Sequence, residues 1–166
     1  FTNAGVQQGY GLTETSPIVT SLDHDDHRNA VESGDTSILR AAGRPLVGID
    51  LKILDDDGNE VPTGEAGEVC VRGPNVTPGY LNRPEENEKA FRNGWFHTGD
   101  VGRVDENGVM FLMDRKKDMI IVGGFNVYPR DVEDILYTHP KVELCAVIGI
   151  PDEKSGEKVK AFIKLK

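Results

Sequence analysis

Alternating apolar and polar residues predict β-strands in the middle of this chain. Residues 49–54 alternate in this way and lead into an Asp- and Gly-rich turn at 55–58, and residues 67–73 form a second alternating segment. Alternation with a period of two places successive side chains on opposite faces of a sheet, as in a half-buried strand. We therefore expect residues 36–113 to be mostly β-structure.

A hairpin and one short helix complete this β-rich block. Residues 101–104 and 109–113 are separated by a loop that ends in Asn-Gly. This pair tolerates the positive φ angles of a tight turn, so the two segments predict a hairpin. Pro84 suits the first position of a helix, and the glutamates after it favour the positive end of the helix dipole. We predict a surface helix from Pro84 to Phe91.

Beyond Asp118 the pattern changes to a small α+β block, which makes the predicted fold class α+β. The charged segment 114–118 separates the two blocks and predicts a domain boundary between residues 117 and 118. Alternating lysines on the last strand predict a solvated face. The elements expected here are a strand at 119–122, a break at Gly123-Gly124, a helix from Pro129 to His139, and strands at 142–150 and 159–165.

Composition describes a globular chain with an acidic balance. The 166 residues are 37% apolar and 28% charged, which excludes a disordered tail. No apolar run approaches the roughly 18 residues of a membrane helix, and the N-terminal segment lacks the pattern of a secretory leader. We expect a cytoplasmic protein, with peripheral contact at the inner membrane face left open. The net charge of −9 argues against a nucleic-acid partner, so any anionic ligand must be held by local groups.

Two segments carry candidate binding chemistry. In residues 8–17, QGYGLTETSP, glycines beside Tyr10 let the backbone approach a flat ligand, and Thr and Glu supply oxygens for a phosphate and a hard cation. The residues alone favour a Gly-rich turn with a surface tyrosine. In residues 94–100, GWFHTGD, Asp100 can accept hydrogen bonds from two ribose hydroxyls, and Arg115 can donate to the same oxygens or to a phosphate. Spacing alone does not separate this from a surface salt bridge.

Four segments in order resemble the adenylate-forming superfamily. They are QGYGLTETSP, GEAGEVCVRGPNVTPGYLNRPEENEKAF, GWFHTGD and DRKKDMIIVGGFNVYPRDVE, and the least similar stretch is residues 18–40. Any one of them is a weak signal, but four in sequence order are specific. Within the superfamily the chain is most similar to the fatty acyl-CoA synthetases. The resemblance implies the distorted β-barrel end of a large AMP-binding domain in residues 1–117 and the beginning of a small, mobile C-terminal domain in 118–166.

The resemblance also implies an activity and its residues. The family activates a carboxylic acid with Mg-ATP to an acyl-adenylate and then transfers the acyl group to coenzyme A, so ATP, Mg²⁺, coenzyme A and a fatty acid are the expected ligands. A metal with fixed donors stabilises charge on the phosphate, and a hinge lets one pocket serve two half-reactions. In the first domain, the resemblance implies that Tyr10, flanked by Gly9 and Gly11, stacks near the adenine, that Thr13 contacts the α-phosphate region and that Glu14 binds Mg²⁺. It implies that Asp100 binds the ribose with help from Arg115. It also implies that Lys117 is the hinge and that Gly124 lines the pantetheine tunnel.

Two family motifs do not occur in this sequence. In relatives the Ser/Thr- and Gly-rich phosphate loop lies upstream of QGYGLTE, and the catalytic lysine lies in a Gly-Lys segment that would follow Lys166. We therefore expect a fragment with no catalytic residue of its own and little or no turnover. Two alternatives stay open: another adenylate-forming enzyme, such as an aryl-CoA ligase, a luciferase-like enzyme or a peptide-synthetase adenylation domain, and a non-catalytic module.

Other residues of metal-ligand type are interpreted as structural. Residues 23–27, DHDDH, have ligand types at close spacing but are predicted to form a solvated loop. Cys70 and Cys145 lie far apart without a CxxC pair, which predicts neither a disulfide nor a structural zinc site, and both are expected to be buried. Because adenylation uses an acid that is already ionised, His97 is expected to serve in packing or hydrogen bonding and not as a general base.

Overall fold

The computed structural model describes residues 5–166 and separates the chain into two compact units. One unit ends at Leu112 and the other is Met113–Lys166. The division falls a few residues before the domain boundary that the sequence analysis places at 117/118, and the identity of the two domains stays a prediction. The first four residues, on which part of the leader argument rests, lie outside the described range.

Both units are mixtures of antiparallel strands and short helices, which confirms the predicted α+β class. None of the helices in the described residues has both the length and the apolarity to span a membrane. The strands are β1 Gln8–Tyr10, β2 Thr20–Leu22, β3 Arg44–Pro45, β4 Asp50–Leu54, β5 Gly67–Arg72, β6 Phe91–Arg92, β7 Trp95–Val104, β8 Met110–Arg115, β9 Ile120–Val122, β10 Phe125–Val127, β11 Val142–Asp152 and β12 Gly156–Leu165. The helices are α1 His24–Ser33, α2 Pro84–Ala90 and α3 Pro129–Tyr137, and short 3-10 turns lie at Thr13–Thr15, Ser37–Arg40 and Lys116–Asp118.

The first unit contains two sheets around one apolar core. Strands β1, β2 and β3 form a small antiparallel sheet, and a curled second sheet has the order β4-β5-β7-β6 with β8 paired to β7. The predicted strands at 49–54 and 67–73 and the predicted 101–113 hairpin are confirmed, and so is the helix that begins at Pro84. Core side chains come from the second sheet and from residues just before β2 and β3: Val19, Ala42, Ile53, Val69, Val71, Phe96 and Met110.

The loop predicted at residues 23–27 is wrong, because these residues begin helix α1. Asp23 accepts a hydrogen bond from the Asp26 backbone N–H at 2.8 Å, and the Asp26 carboxylate accepts one from the Asp23 N–H at 3.3 Å. This reciprocal pair is a capping box, which satisfies two N–H groups at the start of a helix. Gly34, with φ of 77°, ends the helix. The acidic residues therefore serve helix capping, and Asp26 also forms an ion pair with Arg44 at 3.0 Å.

The second unit is a four-stranded sheet with one helix against it. The strand order is β10-β9-β12-β11, and α3 packs on β11, where the Glu133 carboxylate accepts a hydrogen bond from the Val147 N–H at 2.8 Å. The helix and the last two strands were predicted, whereas β10 was not. Gly123 and Gly124 have φ angles of 58° and 87°, which suit a tight hairpin turn, so the predicted break is a connection between β9 and β10.

The lysines of β12 are exposed as predicted, but the apolar residues of the same strand are exposed as well. Val159, Ile163 and Leu165 have relative exposures of 39%, 48% and 63%. Of the two cysteines, Cys70 is fully buried, as expected, whereas the burial expected of Cys145 is wrong. Cys145 is only half-buried: it lies on β11 between the exposed Leu144 and Ala146, and its thiol donates weakly to the Glu133 carbonyl of α3 at 3.7 Å.

Candidate nucleotide site

The Gly- and Thr-rich segment forms a tight loop between β1 and β2. The backbone N–H of Val19 donates to the Tyr10 carbonyl at 2.8 Å, and the buried Thr15 hydroxyl donates to the Leu12 carbonyl at 2.9 Å. A Cβ on Gly11 would lie 1.8 Å from the Pro17 carbonyl oxygen. The loop therefore requires glycine at position 11 for its own closure, whatever it binds.

A bulge in β7 positions Asp100. Glu68 pairs with Val101 and Cys70 pairs with His97, so Val69 of β5 faces three residues of β7 in place of one. Gly99 takes a φ of 74° within this bulge, and its N–H donates to the Glu68 carboxylate at 3.2 Å. Bulges re-aim side chains and are frequent beside active sites. Here the bulge turns the Asp100 side chain to a buried position, with 4% relative exposure.

A hydrogen bond joins the two candidate binding segments, residues 8–17 and residues 94–100. The Tyr10 hydroxyl donates to Asp100 Oδ2 at 2.7 Å, although the two residues are 90 positions apart in the sequence. A buried carboxylate needs hydrogen-bond donors, because burying an unpaired charge is costly. Tyr10 thus contributes its hydroxyl to the carboxylate, in addition to the ring face for which the sequence analysis singled it out.

Glu14 is held by a residue to which the sequence analysis assigned no role. The Tyr80 hydroxyl donates to Glu14 Oε1 at 2.8 Å, and the Thr77 N–H donates to the Glu14 backbone carbonyl at 2.8 Å. The neighbouring Thr13 is exposed and Gly9 lies in β1. Carboxylate and hydroxyl oxygens are the ligands preferred by Mg²⁺, so the donor set at Thr13 and Glu14 fits that ion.

Three of the predicted site residues belong to the second unit. Arg115 ends β8 and Lys117 lies in the short turn that follows, both exposed, and Gly124 lies in the β9–β10 turn. Lys117 lines a cavity of ≈ 620 Å³ together with Asp114, Glu133, Tyr137 and Glu157. All residues of this cavity belong to the second unit, so it contains neither Tyr10 nor Asp100.

A second polar cluster lies beside the bulge, at Glu68, Cys70 and His97. His97 Nδ1 lies 3.2 Å from both Cys70 Sγ and Glu68 Oε2, so the expected hydrogen-bonding role of His97 is confirmed. These are metal-ligand types at short range. The Arg92 guanidinium, however, lies 2.8 Å from the same ring nitrogen and 3.5 Å from Glu68 Oε2. A fixed positive charge beside both groups opposes a metal ion there, and we interpret the cluster as a buried polar network that supports Gly99.

Two protein-family models match this chain. A family model described as AMP-binding enzyme matches residues 1–81, and one described as AMP-binding enzyme C-terminal domain matches residues 131–166. The fold is thus that of the adenylate-forming class. The chain belongs to the AMP-binding enzyme family, as its motifs predict.

Relatives within the family differ in the acid that their names specify. The chain is 45% identical over 158 residues to a long-chain-fatty-acid–CoA ligase of Escherichia coli, covering 94% of this chain and 26% of that protein. It is 47% identical over 156 residues to a feruloyl-CoA synthase of Amycolatopsis, covering 94% of this chain and 30% of that protein. The chain therefore spans about a quarter to a third of the length of these curated relatives.

A solved structure extends the comparison to bound nucleotides. The o-succinylbenzoate CoA synthetase of Bacillus subtilis in complex with its acyl-adenylate intermediate is 40% identical, with a TM-score of 0.83 over 98% of this chain and 32% of that one. The same enzyme with ATP and a magnesium ion gives a TM-score of 0.81 at 38% identity, over 97% of this chain and 32% of that one.

Proposed function

We propose that this chain is part of an acyl-CoA ligase that activates a fatty acid with Mg-ATP and transfers the acyl group to coenzyme A. The observation that carries the proposal is the hydrogen bond between Tyr10 and the buried Asp100, since it joins the two segments to which the family resemblance assigns nucleotide binding. Family membership supplies the reaction class. The named acids of the relatives supply the substrate class.

The nucleotide roles follow from what each group can do. Asp100 is a buried acceptor whose carboxylate can take hydrogen bonds from the two ribose hydroxyls. Tyr10 orients that carboxylate through its hydroxyl and presents its ring to the adenine. Gly9 and Gly11, which flank Tyr10, are both exposed, so a ligand can approach the backbone beside the ring. We propose that the ribose and the base are bound here.

The phosphate end of the nucleotide is proposed to lie near Thr13 and Glu14. Thr13 donates its hydroxyl to the α-phosphate region and Glu14 offers a carboxylate oxygen to Mg²⁺. When bound, the ion supplies charge stabilisation for the displaced phosphate. In the second unit we propose Arg115 for the ribose, Lys117 as the hinge and Gly124 for the coenzyme A tunnel.

Titration of AMP into the 166-residue chain tests the nucleotide site, because it requires no turnover. We expect wild-type chain to bind AMP and Asp100→Ala to lose binding by more than about tenfold, since hydrogen bonds to a charged group contribute ~1.5–3 kcal/mol each. Asp57→Ala is the matched control, because Asp57 is an exposed carboxylate in the β4–β5 connection. AMP binding that survives Asp100→Ala would refute the ribose role, and no binding by wild type would favour a non-catalytic module.

The identity of the acid needs the longer protein that contains this chain. We propose a long-chain fatty acid, on the strength of the ligases among the relatives. A cytoplasmic location stays a proposal from the sequence alone. The feruloyl-CoA synthase at a similar identity favours an aryl acid as the second candidate. Thioester formation measured with a long-chain fatty acid and with ferulate in parallel distinguishes the two. A higher kcat/KM with ferulate would overturn the fatty-acid proposal and leave the ligase reaction standing.

A further inference from the structure

We propose that Tyr80 is a positioning residue for the metal-binding carboxylate of Glu14. This inference rests on the proposed function, because it assigns a role to Tyr80 within the same nucleotide site. Tyr80 does not touch the nucleotide in this proposal. It acts through Glu14, whose Oε1 accepts a hydrogen bond from the Tyr80 hydroxyl at 2.8 Å, so that Oε2 is the oxygen left for the cation.

The backbone of Tyr80 is held by the side-chain amide of Asn87, which forms two hydrogen bonds with it. The Tyr80 N–H donates to Asn87 Oδ1 at 2.7 Å, and Asn87 Nδ2 donates to the Tyr80 carbonyl at 2.9 Å. Asn87 lies in helix α2, and the Tyr80 ring meets Phe91 edge-on with 6.1 Å between the ring centroids. The backbone and the ring of Tyr80 are therefore fixed before any ligand binds.

The same segment also holds the backbone around Glu14. The Thr77 N–H donates to the Glu14 carbonyl at 2.8 Å, and Asn75 Nδ2 donates to the Thr15 carbonyl at 2.6 Å. Residues 75–80 thus contact both the main chain and the side chain of the loop. Groups that hydrogen-bond to a metal ligand typically change metal affinity by about 10- to 100-fold when removed.

The Tyr80 hydroxyl is the donor in its hydrogen bond to Glu14, so it orients the carboxylate without adding a negative charge beside it. A phenylalanine at this position would keep the ring contact with Phe91 and remove only the donor.

Binding of ATP with Mn²⁺ as the probe cation tests the proposal in the 166-residue chain. For wild type, Mn²⁺ should strengthen ATP binding, and Glu14→Gln should abolish that gain. Tyr80→Phe should reduce the gain by about tenfold and leave the affinity for metal-free AMP unchanged. Tyr137→Phe is the matched control. It removes a tyrosine hydroxyl that accepts a hydrogen bond from the Cys145 N–H in the second unit, whereas Glu14 is hydrogen-bonded to Tyr80.

The outcomes separate this proposal from the proposed function. If wild type binds AMP and Mn²⁺ strengthens ATP binding equally in wild type and Tyr80→Phe, the role of Tyr80 is overturned and the nucleotide site stands. If wild type binds no nucleotide, or if Mn²⁺ does not change its affinity for ATP, the proposed role of Glu14 is wrong. The role of Tyr80, which depends on it, is then wrong as well.

A second measurement keeps the proposal testable if Tyr80→Phe does not fold. Carbon-13 NMR of labelled tyrosine rings, recorded at one neutral pH, reports on the Tyr80 hydroxyl through the resonance of the ring carbon that bears it. Glu14→Gln should shift this resonance, because the charged acceptor of the Tyr80 hydrogen bond becomes a neutral amide. An unchanged Tyr80 resonance in Glu14→Gln would mean that the two side chains are not coupled and would overturn the proposal.

Discussion

Replacing Gly11 with alanine tests whether this position needs glycine because a Cβ would clash with the loop. Glycine is more often required because the backbone has a positive φ, which is not the case at Gly11. A Cβ at this position would lie 1.8 Å from the Pro17 oxygen, 2.7 Å from the Pro17 carbonyl carbon and 2.9 Å from the Ile18 Cα. All three are backbone atoms, which cannot rotate away as the end of a side chain can. The loop must move by about 1.5–2 Å to restore ordinary contact distances.

The expected cost follows from that movement. Overpacking of this kind destabilises by ~1–3 kcal/mol. The displaced loop also weakens the hydrogen bond from the Val19 N–H to the Tyr10 carbonyl, which contributes about 1 kcal/mol. Reduced freedom of the unfolded chain offsets ~0.4–1 kcal/mol of this. Gly11→Ala should therefore lower the free energy of unfolding by about 2.5 kcal/mol.

Gly48→Ala is the matched control. Gly48 has a φ of 85°, and a Cβ added there would meet no atom within 4 Å, so only its backbone conformation resists alanine. The left-handed conformation costs a non-glycine residue ~1–2 kcal/mol. Reduced freedom of the unfolded chain offsets ~0.4–1 kcal/mol of this. The net cost should be about 1 kcal/mol.

Urea unfolding followed by fluorescence measures the difference. The chain has a single tryptophan, Trp95, and it lies in β7 of the first unit, so its emission reports the unit that contains both glycines. A gap of ~1.5 kcal/mol between the variants corresponds to about 7 °C in Tm for a unit of this size. Equal midpoints for Gly11→Ala and Gly48→Ala, or a smaller effect at Gly11, would refute the steric reasoning.

Two further predictions concern an ionisable group and the thiols. A hydrogen bond from the Ser155 hydroxyl, and to a smaller extent one from Lys158, lower the pKa of Asp152 from 3.8 to about 2. Ser155→Ala should therefore raise the Asp152 pKa toward 3.8 in a carboxyl NMR titration, and an unchanged pKa would contradict that cause. Because the pKa is depressed in the folded state, the Asp152 contribution to stability is present above pH 3.8 and is lost as the pH falls through about 2. Cys145 should react with a thiol reagent in the native chain and the buried Cys70 only on unfolding, and equal native rates would contradict the burial of Cys70.

Local patterns in the sequence predicted the elements that have clear periodicity. The strand at 67–73 and the helix from Pro84 follow from alternation and from a proline at the first helical position, and both depend only on neighbouring residues. Helix α1 was missed because its acidic start was interpreted as a solvated loop, although Asp23 and Asp26 have the spacing of a capping box. Strand β10 was missed because two glycines indicate a break and a hairpin turn equally well.

Contacts between distant residues could not be predicted in this way. Tyr10 meets Asp100 across 90 positions and Glu14 meets Tyr80 across 66. Periodicity specifies which face a side chain occupies, but it does not specify which other strand or loop lies opposite. The motif order indicated that these segments belong to one site, while the hydrogen bonds that organise them depend on the sheet register and the bulge in β7.

Glu68 makes the bulge dependent on a residue outside the motif. The carboxylate of Glu68 accepts the Gly99 N–H from the neighbouring strand at 3.2 Å and is itself buried. The seven residues of GWFHTGD therefore do not carry their own geometry. A design that places the Asp100 carboxylate and its bulge in another antiparallel sheet would therefore have to include Glu68 on the neighbouring strand.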